Sequence, residues 1–251
     1  MTAELCFQKS LWRQCQFLTC SVLPVRMACN LRCPFCFSKS SISSMEGERD
    51  HWDDLDVESY YELAKARGAT RLVITGGGEP LLRPALVLSL IKRGRAYFDE
   101  IACFTNGTYL TTELAVQLAE AGLSYLCYSR HHHNDKACRQ LMGSTAPLLG
   151  DFFNCAGSLK VRATCVMTRG YIETAEDVFA YMKYLAQSGV YEFTFKHTYV
   201  AYKDSVFGQS VENDWAENHK IEFDPFESKG QILATLPWGP KIRKLENWQA
   251  C

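Results

Sequence analysis

Short β-rich runs alternate with longer helical patterns along most of this chain, and that alternation restricts its fold more than any other feature. Strands joined by helix-length crossovers pair in parallel, so the pattern predicts βαβ units built on a parallel sheet. Strands are predicted over Phe17–Val25, Arg71–Thr75, Glu100–Phe104, Leu123–Ser129, Lys160–Met167 and Tyr191–His197. Helices are predicted over Val57–Arg67, Pro84–Tyr97, Thr111–Ala121 and Thr174–Ser188, with a less regular helical stretch around Asp135–Met142. Asp56 is a candidate helix N-cap, and Thr174 with Asp177 makes a capping-box pattern. Beyond about residue 200 the alternation stops. The expected organisation is an N-terminal extension (1–16), an α/β core (17–200) and an irregular tail (201–251) that packs on the core, with a hairpin near Gln231–Trp248. Periodicity alone allows either an open sheet or a partial barrel.

The formal net charge is -1 with both signs interspersed, which gives no nucleic-acid or membrane-surface footprint. No run approaches the roughly 20 apolar residues of a membrane span. Glu4, Lys9 and Arg13 interrupt any apolar signal core at the N-terminus. Twelve cysteines therefore read as those of a reducing, cytoplasmic compartment rather than of a secreted disulfide framework. There, clustered cysteines bind metal or do chemistry, while scattered ones are small buried hydrophobes.

The clustered ones lie in Cys29-Asn30-Leu31-Arg32-Cys33-Pro34-Phe35-Cys36, a C-x3-C-x2-C spacing just after the first predicted strand. The same spacing marks one face of a helix, which would make a core stripe. Pro34 opposes that, because the residue before a proline is pushed out of the α region. A loop can instead wrap three thiolates around one iron–sulfur cluster. Structural zinc wants a fourth ligand, and His51 is the nearest histidine in sequence.

This motif, its place after the first strand and the downstream Gly76-Gly77-Gly78-Glu79-Pro80 resemble the radical S-adenosylmethionine (SAM) superfamily over roughly residues 17–200. The resemblance implies a partial (βα)6 barrel. It implies a [4Fe-4S] cluster held by Cys29, Cys33 and Cys36, with SAM on the iron that lacks a protein ligand. It also implies reductive SAM cleavage to a 5′-deoxyadenosyl radical that takes hydrogen from a substrate. In the family Phe35 corresponds to an aromatic beside the adenine, and the glycine turn meets the SAM ammonium group, so Gly77, Gly78 and Glu79 are assigned to SAM. The physical logic expected of the turn is that missing β-carbons let a ligand approach backbone.

Other candidates sit where predicted strands end. Asn106 either makes a plain Asn-Gly turn or faces the pocket. Ser129 is taken as a SAM contact. If its strand continues, Ser129, His131 and His133 share one face, with Arg130 and His132 on the other. His131 and His133 are candidates for substrate hydrogen bonding or proton transfer. Arg162, and Lys196 with His197, are candidates to meet a SAM or substrate carboxylate. Cys127, on the same face as Ser129, is either a core thiol or a hydrogen-atom donor.

The expected activity is hydrogen abstraction from a small molecule or short peptide, with flavodoxin or ferredoxin as reductant and no nucleic-acid or membrane partner. Natural-product biosynthesis is the expected setting, since neither a cysteine-rich C-terminal extension nor an N-terminal cobalamin domain is evident. The rival readings are a glycyl-radical activase and a non-catalytic iron–sulfur electron carrier or sensor.

Overall fold

A computed structural model describes residues 16–40, 55–236 and 239–251. The N-terminal extension up to residue 15 and His51 lie outside the described residues. All six predicted strands form: β1 (Thr19–Val22), β2 (Arg71–Ile74), β3 (Glu100–Thr105), β4 (Tyr125–Ser129), β5 (Val161–Val166) and β6 (Glu192–Lys196). They pair in parallel and in sequence order. The connecting helices are α1 (Val57–Ala66), α2 (Pro84–Gly94), α3 (Thr112–Ala121), α4 (Asp135–Met142), α5 (Leu149–Ala156) and α6 (Ala175–Ala186). Asp56 caps α1 through Ser59 N–H, and the Thr174–Asp177 capping box closes the first turn of α6. The sheet curves into a partial barrel and does not close.

Alternation along the strands sorts the side chains onto two faces. Leu72, Ile74, Ile101, Cys103, Leu126, Tyr128, Ala163, Cys165 and Phe193 belong to one buried cluster with helix residues such as Tyr61, Leu90, Leu118 and Tyr181. Ala102, Phe104, Tyr125 and Cys127 form a separate cluster on the opposite, concave face. The concave face also carries Arg162, Thr164, Thr194 and Lys196, in register across β5 and β6. Polar residues are unusual inside a parallel sheet, whose strands are normally apolar on both faces. Here they mark the lumen.

The tail is more regular than its composition indicates. It contains α7 (Val211–His219) and three strands, β7 (Gln231–Thr235), β8 (Lys241–Leu245) and β9 (Trp248–Ala250). The β7–β8 pair is the expected hairpin, and β9 continues the sheet in parallel beside β6. Pro237 and Trp238 lie outside the described residues. Helix α5 carries no strong sequence signal, since no side chain caps it. Its first N–H, on Leu149, is instead bound by Asp135 Oδ1 at 2.9 Å. Among the described residues no helix is long and apolar enough to cross a membrane.

Arg130, just past β4, organises this corner and is 0% exposed. Its guanidinium donates to Asp135 Oδ1 (2.5 Å), Pro147 O (3.2 Å), His133 O (3.3 Å) and Tyr128 Oη (3.3 Å). The Asp135 carboxylate is 37% exposed, but removing it strands the fully buried Arg130 charge. Asp135→Ala is expected to lower unfolding stability by about 3 kcal/mol, and Asp135→Asn by less, because the amide keeps an acceptor. Urea unfolding of the three proteins checks this; an Ala variant as stable as wild type would overturn the role given to Arg130.

Candidate active site

Strand β1 ends where the chain turns toward the three close cysteines, and backbone hydrogen bonds carry the β1–β2 pairing on into both loops. Thr75 N–H donates to Val22 O (3.0 Å), Gly77 N–H to Val25 O (3.0 Å) and Glu79 N–H to Ala28 O (2.9 Å). The two segments lie so close that a β-carbon on Gly77 would stand 1.6 Å from Arg26 O, and one on Gly78 2.0 Å from Ala28 O. The missing side chains admit neighbouring backbone, a role the sequence reading did not anticipate, and so hold the cysteine loop against the glycine turn. Gly78 and Glu79 border the cavity described below, whereas Gly77 does not.

Glu79 is buried, and its carboxylate is committed to the protein. Oε1 accepts from Leu81 N (3.1 Å) and Thr105 Oγ1 (2.6 Å), and Oε2 accepts from Asn106 N (2.7 Å). Burial pushes its pKa up, while these three donors oppose the shift. Glu79 thus ties the glycine turn to the end of β3 while it borders the cavity described below. Asn106, held from behind, sends its Nδ2 to Asn30 Oδ1 (3.1 Å) and Cys29 Sγ (3.7 Å). Its Oδ1 accepts from Thr108 N (2.9 Å). Both readings of Asn106 hold at once: it shapes its own turn and faces the pocket.

Cys29, Cys33 and Cys36 open on one cavity with Phe35, Gly78, Glu79, Asn106, Ser129 and His131. It lies at the C-terminal ends of the strands, where ligand sites of parallel α/β folds collect. The loop rests on α4: Arg32 N–H donates to Met142 O (2.9 Å), and Leu31 and Cys33 pack with Cys138, Met142 and Ala146. Leu31 N–H donates to Cys29 Sγ at 3.5 Å. Burial and then the neighbouring thiols push the Cys33 pKa well up. Burial also raises Cys29, with Glu79 and Cys36 adding to the rise. Ionising Cys29 and Cys33 together calls for a cationic centre beside them. Among the described residues no three His, Cys, Asp or Glu converge tightly enough to grip a single ion. Three thiols that line one cavity are a donor set that suits an iron–sulfur cluster.

Phe35 and His131 meet edge to face (centroids 4.8 Å, 90°), and Phe35 also touches Trp215 of α7 (5.8 Å). His131 is buried, and its Nδ1 accepts from Val166 N (3.0 Å), which leaves the ring proton on Nε2. Burial, then the Lys196 and Arg130 charges, push its pKa down to about 3. Burial and the Val166 bond favour a neutral His131 ring with its N–H toward the cavity.

His133 does not reach the cavity. The chain leaves the strand after Ser129, so strict alternation ends there. His133 stacks on His132 (4.5 Å) and leans on Tyr184 of the outer helix α6 (5.8 Å). Cys127 is on the concave face as expected, but it is 2% exposed and lies outside the cavity wall. Burial pushes its pKa up to about 12. Arg162 also lies apart from the cysteine cavity. It borders a second recess at the N-terminal end of the barrel, with Arg71, Glu100, Lys160, Glu192 and Cys251. His197 turns to Phe223 O (3.1 Å) in the tail. Sequence reasoning missed Arg130, Thr105 and Trp215. Arg130 stood in a conspicuous polar run, but nothing local marked it as the buried member.

The His131 imidazole has a lower pKa folded than the usual 6.5, so the unfolded chain binds the extra proton between pH 6.5 and about 3. Stability therefore falls as pH drops through that window, by at most about 1.4 kcal/mol per pH unit from this group. His131→Asn should lose this component. Denaturant unfolding of both proteins from pH 7 to pH 4 checks it, and identical slopes would refute the buried, neutral ring.

A family model described as the radical SAM superfamily matches residues 24–201. A GTP 3′,8-cyclase from Xanthomonas axonopodis pv. citri is 32% identical over 162 residues, covering 60% of this chain and 47% of the relative. Streptococcus suis SuiB bound to S-adenosylmethionine aligns with TM-score 0.57 and 20% identity, over 74% of this chain and 42% of SuiB. SuiB bound to its precursor peptide SuiA aligns with TM-score 0.56 and 19% identity, over 74% of this chain and 41% of SuiB. The chain thus spans less than half the length of these relatives. The family match covers the cysteine loop, the glycine turn and the strands from β2 to β6 together, and this chain belongs to the radical SAM superfamily.

Proposed function

We propose that Cys29, Cys33 and Cys36 hold a [4Fe-4S] cluster and that SAM occupies the cavity beside it, next to Phe35, Gly78, Asn106 and Ser129. The observation that carries this reading is the convergence of one three-thiol loop, the glycine turn and the ends of β3 and β4 on one cavity. When bound, the cluster and SAM supply one-electron cleavage of a sulfonium carbon–sulfur bond and, from it, a radical that abstracts hydrogen from substrate.

The protein's own part is positioning and shielding. Leu31 N–H and Asn106 Nδ2 direct donors at Cys29 Sγ and favour its thiolate. Phe35, with His131 and Trp215 against it, walls the loop side of the cavity with aromatic surface and keeps water from a reactive intermediate. The Nε2–H of His131 offers a fixed neutral donor to whatever lies there. Ser129 adds a hydroxyl at the mouth of β4. The substrate is a small molecule or short peptide that enters the lumen, in a modification or natural-product pathway, with a flavodoxin or ferredoxin supplying electrons in the cytoplasm. Support for a peptide comes from the barrel shared with SuiB, which has been crystallised with a precursor peptide. The core spans 17–200, and the tail serves it by bringing Trp215 to the cysteine loop.

Anaerobic reconstitution with iron and sulfide, followed by reduction with SAM present, should yield 5′-deoxyadenosine. Cys33→Ala should lose the cluster's iron and absorbance and reduce that product to background. A Cys33→Ala protein with normal iron and full turnover would refute the assignment, and a fully loaded wild type that never cleaves SAM would favour an electron carrier. Gly77→Ala should remain folded but load less iron, because its new methyl group pushes the cysteine loop off the glycine turn; unchanged loading would sink that account.

A further inference from the structure

Behind the cysteine cavity, neighbouring strands aim two cations and a thiol into the lumen: Cys127 from β4, Arg162 from β5 and Lys196 from β6. Lys196 Nζ sits over the Phe104 ring at 5.6 Å, and Phe104 is itself a wall of the cysteine cavity. Arg162 Nη2 donates to Thr194 Oγ1 (2.9 Å), while its Nε is buried without an acceptor.

Charge accounting separates these two from the other ionised groups of the barrel. Toward its N-terminal end the charges pair, Arg71 with Glu100 and Lys160 with Glu192. Among the described residues neither Arg162 nor Lys196 has a carboxylate partner. They act on each other and on the Cys127 thiol instead. Lys196 is an exposed residue at the end of β6, and the protein crowding its ammonium, with Arg162 adding repulsion, holds its pKa below the usual lysine value. Two like charges in a partly desolvated space are unfavourable without a counter-charge. A guanidinium fork and a mobile ammonium together match an oxyanion, which accepts from both.

We infer that the substrate carries an oxyanion, a carboxylate or a phosphate, and that Lys196 and Arg162 bind it in the lumen while the rest of the molecule extends past Phe104 toward the cysteine cavity. This rests on the reading of the cavity given above and names the substrate class for it. The unpaired cations set the depth of the substrate, so the carbon presented for hydrogen abstraction lies a fixed distance from its charged end.

The test uses the full chain, loaded with cluster and saturated with SAM, titrated anaerobically by calorimetry with inorganic phosphate and, separately, with malonate. At least one anion should bind the wild type and so distinguish phosphate from carboxylate. Lys196→Gln and Arg162→Gln should each weaken that binding about tenfold or more. Lys196→Arg, which keeps the charge, should retain it, and this rescue separates recognition from a folding defect. The inference is overturned if neither anion binds, if Lys196→Gln binds as wild type does, or if anion binding seen without SAM vanishes when SAM saturates the protein. That last result would give the cations to SAM's own carboxylate. Failure of the cavity reading shows separately, as no 5′-deoxyadenosine from the same wild-type preparation, and the titration of cluster-free protein then still decides the anion site.

Discussion

Everything at the mouth of this barrel hangs on a short stretch of backbone pairing beyond the ends of β1 and β2. The carbonyls of Val22, Val25 and Ala28 accept in turn from Thr75, Gly77 and Glu79, so the segment that delivers Cys29 is laid along the segment that delivers Glu79. Only glycine permits the contact, because a β-carbon at 77 or 78 would overlap a carbonyl oxygen of the facing segment. From there one carboxylate completes the frame. Glu79 fixes Thr105 and Asn106, and Asn106 reaches back to Asn30 and Cys29. The cysteine loop is thus held by a closed circuit of hydrogen bonds through β1, β2 and β3. That is what lets a short irregular segment keep three sulfurs in place.

The same strands divide their labour between two faces. Outward residues meet helices and make the main core, while inward residues build a small apolar floor at Ala102, Phe104 and Cys127 and leave Arg162, Thr194 and Lys196 in the lumen. The division explains why three strand cysteines differ. Cys103 and Cys165 point outward into the core, and Cys127 points inward. It also explains the histidine run. Alternation places His131 correctly for as long as the chain stays extended, and fails at His133, where Arg130 draws the loop around its own hydrogen bonds.

Much of the barrel was legible because each unit announces itself locally. Apolar period, capping residues at Asp56 and Thr174, and strand-ending turns all report on neighbours a few residues away. The cysteine spacing with Pro34 was equally legible, since a proline there rules out the helical stripe. Helix α5 and the tail were not, for a common reason. The N-terminus of α5 is satisfied by Asp135 from another element, and β9 exists only because the edge of β6 accepts it. Trp215 gave no local sign either that it would stand against Phe35, because that meeting joins the two ends of the chain.

The sequence by itself determined the alternating α/β architecture, the loop character of the cysteine segment and the family, because those depend on short-range sterics and on residues spaced a turn or two apart. Tertiary structure alone decided what each polar residue does. It made Glu79 a tie between the glycine turn and β3, took Gly77 and His133 out of the cavity, buried His131 against Phe35 and left Arg162 and Lys196 without carboxylate partners among the described residues. The physical reason is that burial, charge pairing and hydrogen-bond satisfaction are properties of an environment. Distant strands assemble that environment, and the order of residues along any one of them does not contain it.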